Sequence, residues 1–315
     1  MHPEKADGSP IECSGRVPIS AAQCYKSQNP EIGDVNIGFN DDLINKWLGK
    51  VPVTFSSAPF SIPISKNSKY FLKLSGIDTI GKVTLNNKTD DLWTTNNTFA
   101  DFVFDVTNFL QSDKNHLAIV IEPPVLEANH IAETDPIHQP PSCQYPHSQC
   151  NINRLRKPGY SFACDWGPSL PDSGIYHPPI IYEISKNAWK ILGSRIQLFS
   201  KVADDLQVVR VDLDIQAEND DPVSNDATLT VQLESLSNQS PTQIDMKIRP
   251  YTAFATPTQN GYLFSSEFEV KTGDIRFWWP NGHGEPYLYN ATITLSVNKG
   301  VPQSEGHVFG FRTVE

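Results

Sequence analysis

The residues best suited to chemistry lie in one segment, Arg156–Tyr176, where Asp165 directly precedes Trp166. A carboxylate can accept hydrogen bonds from two hydroxyl groups, and an indole face can cover the apolar side of a sugar ring. The glycines and prolines around the pair would hold the loop in one shape, so that little ordering entropy is lost on binding. One interpretation is therefore a sugar-binding loop. The other is a core tryptophan beside an aspartate that caps a turn.

The cysteines offer a second candidate site. Cys143 and Cys150 bracket the short polar loop Gln-Tyr-Pro-His-Ser-Gln. A disulfide there would contribute about 2–3 kcal/mol through chain entropy, if the geometry allows it. His147 lies between the two cysteines, but no second ligand pair at zinc-site spacing follows. The sequence thus favours a disulfide over a metal site, and we expect neither a metal nor a cofactor.

Period-2 alternation of apolar and polar residues dominates the rest of the chain. In Val209–Ile215 every odd position is apolar and every even position is charged, which predicts a strand with one solvated face. Further strands are predicted at 70–74, 82–85, 102–106, 116–121, 228–233 and 292–297. Only 41–48 and 106–110 resemble short helices, and the 25 prolines fit loops and strand edges better than helix interiors. The prediction is an all-β chain of two antiparallel sandwiches.

The stretch from Pro123 to Pro179 breaks this pattern. It is rich in Pro, His, Gln and Ser and shows few regular runs. A loop region of that length inside a compact domain is usually functional or disordered, and its aromatic residues favour an ordered binding loop. Alternation resumes at Trp189, so we place the domain boundary at 185/186, with domains at 1–185 and 186–315.

Charge and targeting signals narrow the class of protein. The net charge of −11 and the lack of a Lys/Arg cluster argue against a nucleic-acid partner. No apolar run approaches the ~20 residues that span a bilayer, and the N-terminus does not resemble a signal peptide. Four N-glycosylation sequons nevertheless point to the secretory pathway, and a truncated N-terminus would reconcile the two observations; the sequons begin at Asn87, Asn96, Asn238 and Asn290.

The segment 156–176 resembles the Arg-Lys…Ser-Phe-x-Trp-Asp-Trp-Gly-Pro-x-x-Pro-x-x-Gly-Ile-Trp motif of the β-mannosidases in glycoside hydrolase family 2. Other stretches resemble the same family in the same order along the chain. They are Gly38–Asp41 with Trp47, Leu74–Asn86, Phe104–Asn108, Trp278–Gly284 with Leu288 and Tyr289, and Gly310–Glu315. The ordered set implies a jelly-roll, galactose-binding-like sandwich followed by an immunoglobulin-like sandwich.

The resemblance also implies an activity that this chain lacks the means to perform alone. The family releases terminal β-linked mannose with retention, using two glutamates about 5 Å apart. Both belong to a (β/α)₈ barrel that would follow Glu315, and no Asn-Glu pair of the acid/base type occurs in the chain. The expected partners are a mannose-containing oligosaccharide and that barrel, normally in the same chain. The expected location is lysosomal or secreted, and the chain by itself is expected to be inactive.

The resemblance assigns part of a mannose subsite to the loop. Asp165 and Trp166 match the last two positions of the Trp-Asp-Trp triplet, whereas Cys164 replaces the first tryptophan and Tyr176 replaces the closing one. Cys143 and Cys150 resemble the cysteine pair of animal members. Two alternatives stay open: a catalytically inactive carbohydrate-binding module, and a structural remnant without a ligand. Four other tryptophans are interpreted as packing residues, with Trp47 and Trp93 in the core and Trp278 and Trp279 in core and turn packing.

Overall fold

The computed structural model describes most of the chain as two compact units. The described residues are 11–30, 46–91, 93–137, 140, 149–162, 169–186, 188–201, 206–217, 227–236, 244–248, 256–258, 261–297 and 301–312. The units divide between Glu183 and Ile184. Most regular structure in both is β-strand, which confirms the predicted all-β class. No helix among the described residues is long and apolar enough to cross a membrane.

The first unit contains eleven strands in the described part of the chain. They are β1 (Ile11–Cys13), β2 (Ile19–Ser20), β3 (Val53–Ser56), β4 (Ser68–Ser75), β5 (Ile77–Asp78), β6 (Gly81–Leu85), β7 (Thr94–Thr95), β8 (Asp101–Asp105), β9 (Leu117–Ile121), β10 (Gly174–Ile175) and β11 (Ile180–Ser185). They form a five-stranded sheet in the order β1-β3-β9-β6-β7 and two three-stranded sheets, β2-β10-β5 and β11-β4-β8. The small β2-β10-β5 sheet joins three distant parts of the chain and carries the candidate site described below.

The core of the first unit follows from the alternation in its strands. On β6, Val83 and Leu85 are buried, whereas Lys82 before them is exposed and Thr84 between them is partly exposed. These side chains pack with Leu72 and Ile119 in one apolar cluster, which also contains Trp47 and Trp93. The prediction that these two tryptophans are core residues is therefore confirmed.

Two helices in the first unit were not predicted. Helix α1 (Ala21–Gln28) begins with a capping box, in which the Ser20 hydroxyl accepts from the Gln23 amide and the Gln23 side chain accepts from the Ser20 amide. Helix α2 (Pro124–Thr134) starts with a proline in its first turn and buries Val125 and Ala128. The expectation that Pro123–Pro179 holds few regular elements is thus wrong at its start, because a proline at a helix N-terminus favours the helix.

Short 3₁₀ turns complete the helical structure of the described residues. They span Lys46–Lys50, Ile152–Arg154, Gly159–Phe162 and Thr272–Asp274. The predicted helix at 41–48 overlaps the first of these, and its earlier residues lie outside the described part. The predicted helix at 106–110 is only a turn, in which the Leu110 amide donates to the Val106 carbonyl at 3.1 Å.

A disulfide between Cys13 and Cys24 joins β1 to helix α1, with 5.7 Å between the Cα atoms. The sequence interpretation did not pair these two cysteines, because connectivity among five cysteines cannot be deduced from their positions alone. Among the described strands, β1 lies at one end of its sheet and pairs with β3 in parallel. The crosslink therefore secures an edge strand to the helix that follows it.

In the residues that the structure describes, the second unit is a sandwich of two four-stranded sheets. Its strands are β12 (Trp189–Lys201), β13 (Leu206–Ala217), β14 (Ala227–Ser235), β15 (Ile244–Ile248), β16 (Thr256–Thr258), β17 (Gly261–Lys271), β18 (Tyr289–Val297) and β19 (Gln303–Phe309). The sheet orders are β12-β13-β17-β16 and β15-β14-β18-β19. Val211 and Leu213 of the first sheet and Val231 and Ile293 of the second belong to one buried cluster, as the alternation predicts.

The turn at Trp278–Gly284 corrects part of another expectation. Trp279 is half exposed and Trp278 is partly buried, and neither belongs to the buried core. Trp279 lies over Gly284, whose φ of +154° and whose closeness to the indole leave no room for a Cβ atom. The two tryptophans therefore pack within the turn, and the suggestion of a core role is wrong.

Replacing both cysteines of the Cys13–Cys24 disulfide by serine is expected to lower the free energy of unfolding by about 2–3 kcal/mol, since the crosslink restricts the unfolded chain. Urea denaturation of the oxidised wild-type chain and the double variant measures the difference. Equal unfolding midpoints would contradict the expectation.

Asp212 on β13 provides a pH-dependent test of the second unit. Its Oδ1 accepts from the Ser265 hydroxyl at 2.6 Å and from Arg210 Nε at 2.9 Å. Burial raises the pKa of Asp212, but these hydrogen bonds and the arginine charges outweigh it, so the pKa lies below its ordinary value. A carboxylate with a lowered folded-state pKa stabilises the fold above its unfolded pKa, and the contribution is lost as pH falls through the folded pKa.

We therefore expect Asp212→Asn to cost about 1.5–3 kcal/mol near neutral pH. The cost should begin to shrink as the pH falls below about 4, the ordinary pKa of an aspartate, and should be lost only as the pH falls through the lower pKa of folded Asp212. Thermal unfolding between pH 3 and 7 tests this, with Asp214→Asn on the same face of β13 as the matched control. A cost that does not change with pH would show that the charge of Asp212 is unimportant.

Candidate functional site

A buried carboxylate at the end of β5 is the centre of the candidate site. Asp78 is 1% exposed. Its Oδ1 accepts from the hydroxyls of Thr79 at 2.5 Å and Thr98 at 2.9 Å. Its Oδ2 accepts from the Tyr176 hydroxyl at 2.9 Å and lies 3.3 Å from the Lys157 ammonium. Four donors thus surround one carboxylate, which is about the number that its two oxygens can accept.

Lys157 is the cationic partner of Asp78, and its side chain is completely buried. Its Nζ also donates to the Asp172 carbonyl at 2.6 Å and lies 5.7 Å from the centre of the Phe162 ring. Burial lowers the pKa of Lys157, and the neighbouring Asp78 charge opposes that shift. The ammonium therefore contacts an anion, a carbonyl and an aromatic ring within one enclosed space.

Asp172 connects this cluster to helix α1. Its Oδ1 accepts from the amides of Ala22 at 3.0 Å and Ser173 at 2.9 Å, and the Ala21 amide donates to the Ser173 carbonyl at 2.8 Å. Burial raises the pKa of Asp172, while hydrogen bonds to its carboxylate oppose the shift. Together with Ser20, these groups satisfy the first amides of the helix, which have no partner within it.

The segment that ends at Phe162 is held on its other side by helix α2. Phe162 and Leu155 pack with Val125 and Ala128 of the helix in a separate apolar cluster. A salt bridge of 2.7 Å between Arg154 and Asp135 lies beside it. The residues before the loop therefore contact helix α2 and its C-terminal end through both apolar packing and an ion pair.

The chain also makes a close backbone approach at Gly76. The Tyr176 amide donates to the Gly76 carbonyl at 2.9 Å. Gly76 has a φ of +64°, and a Cβ there would lie 2.9 Å from the His177 ring. Glycine is required at this position, because a side chain would be strained and would push away Tyr176 and His177, which follow β10.

Several residues predicted from the sequence lie outside the described part of the chain. They are Cys164, Asp165 and Trp166 of the loop, Cys143, and Asn238. Cys150 is disulfide-bonded, but its partner also lies outside the described residues, so the Cys143–Cys150 pairing stays a prediction. Of the other sequons, Asn87 and Asn96 are exposed, whereas Asn290 is partly buried on β18.

The sequence interpretation did not identify Asp78, Lys157 or Asp172 as members of one site. A signal was available for Lys157 and Tyr176, since both lie in the segment singled out for its Asp-Trp pair. Asp78 gave a weaker signal, since it lies in the Leu74–Asn86 stretch that resembles the family. What the spacing could not reveal is that the chain brings residues 78, 157 and 172 together.

The arrangement is suited to holding a loop and unsuited to catalysis. All acceptor positions of Asp78 are used by protein groups, so it is poorly placed to transfer a proton to a bound molecule. Among the residues that the structure describes, no group of three or more His, Cys, Asp or Glu could hold a metal ion. The cluster therefore resembles a support for a binding segment.

A separate cavity of about 220 Å³ in the first unit has a different character. Its described lining includes Val17, Phe55, Leu117 and Ile175 and contains no charged side chain. A sugar site usually needs charged or amide groups for its hydroxyls, so this cavity is a poorer candidate.

Removing one donor from Asp78 tests how far the cluster depends on each contact. Tyr176→Phe is expected to cost about 1.5–3 kcal/mol of unfolding free energy, because the hydroxyl donates to a buried charge. Tyr160→Phe is the matched control, since that ring is 71% exposed. Chemical denaturation followed by circular dichroism gives both values, and equal effects would contradict the expectation.

Comparison with known proteins identifies both units. Residues 11–177 match the model described as "Glycosyl hydrolase 2 galactose-binding domain-like", and residues 194–312 match the model described as "Glycosyl hydrolases family 2". The fold is a galactose-binding-like sandwich followed by the immunoglobulin-like sandwich of that family, which confirms the predicted order.

Named relatives agree with this match. The chain is 27% identical over 295 residues to the mouse β-mannosidase, an alignment that covers 91% of this chain and 31% of that protein. It is 27% identical over 288 residues to β-mannosidase B of Aspergillus fumigatus, again covering 91% of this chain and 31% of the other. The chain thus spans about a third of the length of these relatives.

A solved structure has the same fold. The β-D-mannosidase of Dictyoglomus thermophilum aligns with a TM-score of 0.67 at 22% identity, covering 96% of this chain and 34% of that one. At this identity the likeness concerns the fold alone. The match over residues 11–177 covers more than half of the 315 residues, and the family resemblance seen in the sequence is therefore confirmed: the chain belongs to glycosyl hydrolase family 2.

Proposed function

We propose that the chain is the non-catalytic N-terminal region of a β-mannosidase, and that its first unit contributes one wall of the mannose subsite through Asp165 and Trp166. In this proposal the chain works with a (β/α)₈ barrel that supplies both catalytic glutamates, and the pair acts on terminal β-linked mannose of glycoprotein oligosaccharides. The curated relatives aligned above carry the name β-mannosidase, which supports this substrate class.

The buried Asp78–Lys157 cluster is the observation that carries the proposal. Its members come from both sides of residues 163–168, because Lys157 precedes that segment and Asp172 and Tyr176 follow it. A binding loop whose two ends are fixed loses little entropy when it engages a ligand. The cluster therefore supports a binding role for the Asp165–Trp166 pair.

The same geometry supports a role without catalysis. A retaining glycosidase needs two carboxyl groups about 5–5.5 Å apart that face the scissile bond. Asp78 and Asp172 are both buried against protein donors. No described carboxylate of this cluster is free to act on a sugar, and the chain is proposed to be inactive on its own.

Location in the secretory pathway or the lysosome belongs to the same proposal. Disulfides persist mainly in oxidising compartments, and both Cys13–Cys24 and Cys150 are disulfide-bonded. Exposure of Asn87 and Asn96 is compatible with glycans at those two sequons.

Calorimetric titration of the chain with mannose at millimolar concentration tests the proposed subsite. We expect weak binding that falls about 10- to 100-fold in Asp165→Ala, the equivalent of the 1.5–3 kcal/mol of a charged hydrogen bond. Asp91→Ala is the matched control, since Asp91 is an exposed aspartate of the same unit.

Each outcome of that titration has a distinct meaning. No mannose binding by the wild-type chain would favour a structural remnant, and equal binding of unrelated sugars would favour a general carbohydrate-binding module. Hydrolysis of an aryl β-mannoside by this chain, abolished by changing one of its own glutamates, would overturn the non-catalytic assignment.

A further inference from the structure

Lys157 is a buried lysine of the first unit that contacts two other parts of the chain. Its ammonium reaches backward in sequence to Asp78 on β5 and forward to the carbonyl of Asp172. The Asp172 carboxyl group binds the N-terminus of helix α1 in turn. One buried cation thus joins three chain segments that are far apart in the sequence.

Both ends of residues 158–171 are tied to this cation. Lys157 is bound to Asp172 directly, and Tyr176 is bound to the same Asp78 oxygen that faces the ammonium. Arg156, immediately before Lys157, is also held, because its carbonyl accepts from the Thr98 amide at 2.9 Å. The two ends of the segment consequently cannot separate without uncovering Asp78.

A direct role in binding is incompatible with the burial of Lys157. Its side chain has no exposed surface, and its contacts with Asp78, the Asp172 carbonyl and the Phe162 ring account for the directions in which it could donate. A sugar hydroxyl would have to displace one of these partners. Any influence of Lys157 on a ligand must therefore act through the position of other residues.

We propose that Lys157 is a positioning residue for the sugar-binding segment, acting as a buried clasp between its two ends. The proposal rests on the function proposed above. The physical reason is that a buried ion pair contributes little net stability compared with apolar packing, whereas it favours one arrangement of its hydrogen-bonding partners. The clasp fixes the spacing between Lys157 and Asp172, which are the two ends of this segment.

The test compares Lys157→Met, Asp78→Asn and the double variant in the full chain. Lys157→Met alone leaves Asp78 buried without its cation and can unfold the first unit. The double variant removes both charges and so keeps the fold measurable. Lys82→Met is the matched control, because Lys82 forms a 2.8 Å ion pair with Glu122 on the surface of the same unit.

Two readouts separate positioning from stability. Hydrogen exchange should rise at least 10-fold in residues 158–162 and 169–176 of the double variant, while strands β6 and β9 keep their protection. Mannose affinity, measured by calorimetry, should fall at least 10-fold in the double variant and stay unchanged in Lys82→Met.

The failure of this inference differs from the failure of the proposed function. If the wild-type chain does not bind mannose, the proposed function fails, and the exchange experiment still decides whether the clasp exists. If exchange and affinity in the double variant both match the wild type, Lys157 has no positioning role. Uniform loss of protection across β6 and β9 would also overturn the inference, because it would make Lys157 a residue of general stability.

Discussion

The desolvated carboxylate of Asp78 is the constraint on which the architecture of the first unit depends. A buried charge is costly unless its lone pairs have donors, and Asp78 has four, from Thr79, Thr98, Lys157 and Tyr176. These contacts with Asp78 bring together β5, the strand before Tyr176 and the segment around Lys157. In the backbone, the same parts of the chain meet in the small β2-β10-β5 sheet and in the close approach at Gly76.

The two units show different relations between sequence and structure. In the second unit, strands such as β13 could be predicted from alternation alone, because one face meets the core and the other meets solvent. In the first unit the same rule located β6 and β9 but not helix α2, whose start was obscured by the prolines around it. Alternation of apolar and polar residues is a local pattern, and it is enough to locate a strand that has one buried face and one solvated face.

Only part of the candidate site could be predicted from the sequence, because its other contacts join residues that are far apart in the chain. The composition of the segment with Asp165 and Trp166 indicated a binding loop, whereas nothing in the sequence indicated that Asp78 contacts this segment. Tyr176 and Asp78 are separated by 98 positions, and no periodicity connects residues that far apart. The replacement of the motif's closing tryptophan by Tyr176 also acquires a meaning only in three dimensions, since its hydroxyl is one of the donors to Asp78.

The N-terminus of helix α1 has a consequence for the order in which the first unit can fold. The amide of Ala22 is paired with Asp172, 150 positions later in the chain, and β2 pairs with β10 next to it. Contacts of such long range carry a high loop-closure cost and form late. During synthesis, the amides of Ala21 and Ala22 therefore lack these partners until almost the whole unit has left the ribosome. A nascent chain halted before residue 172 would lack β10, so the edges of β2 and β5 that pair with it would be left unpaired.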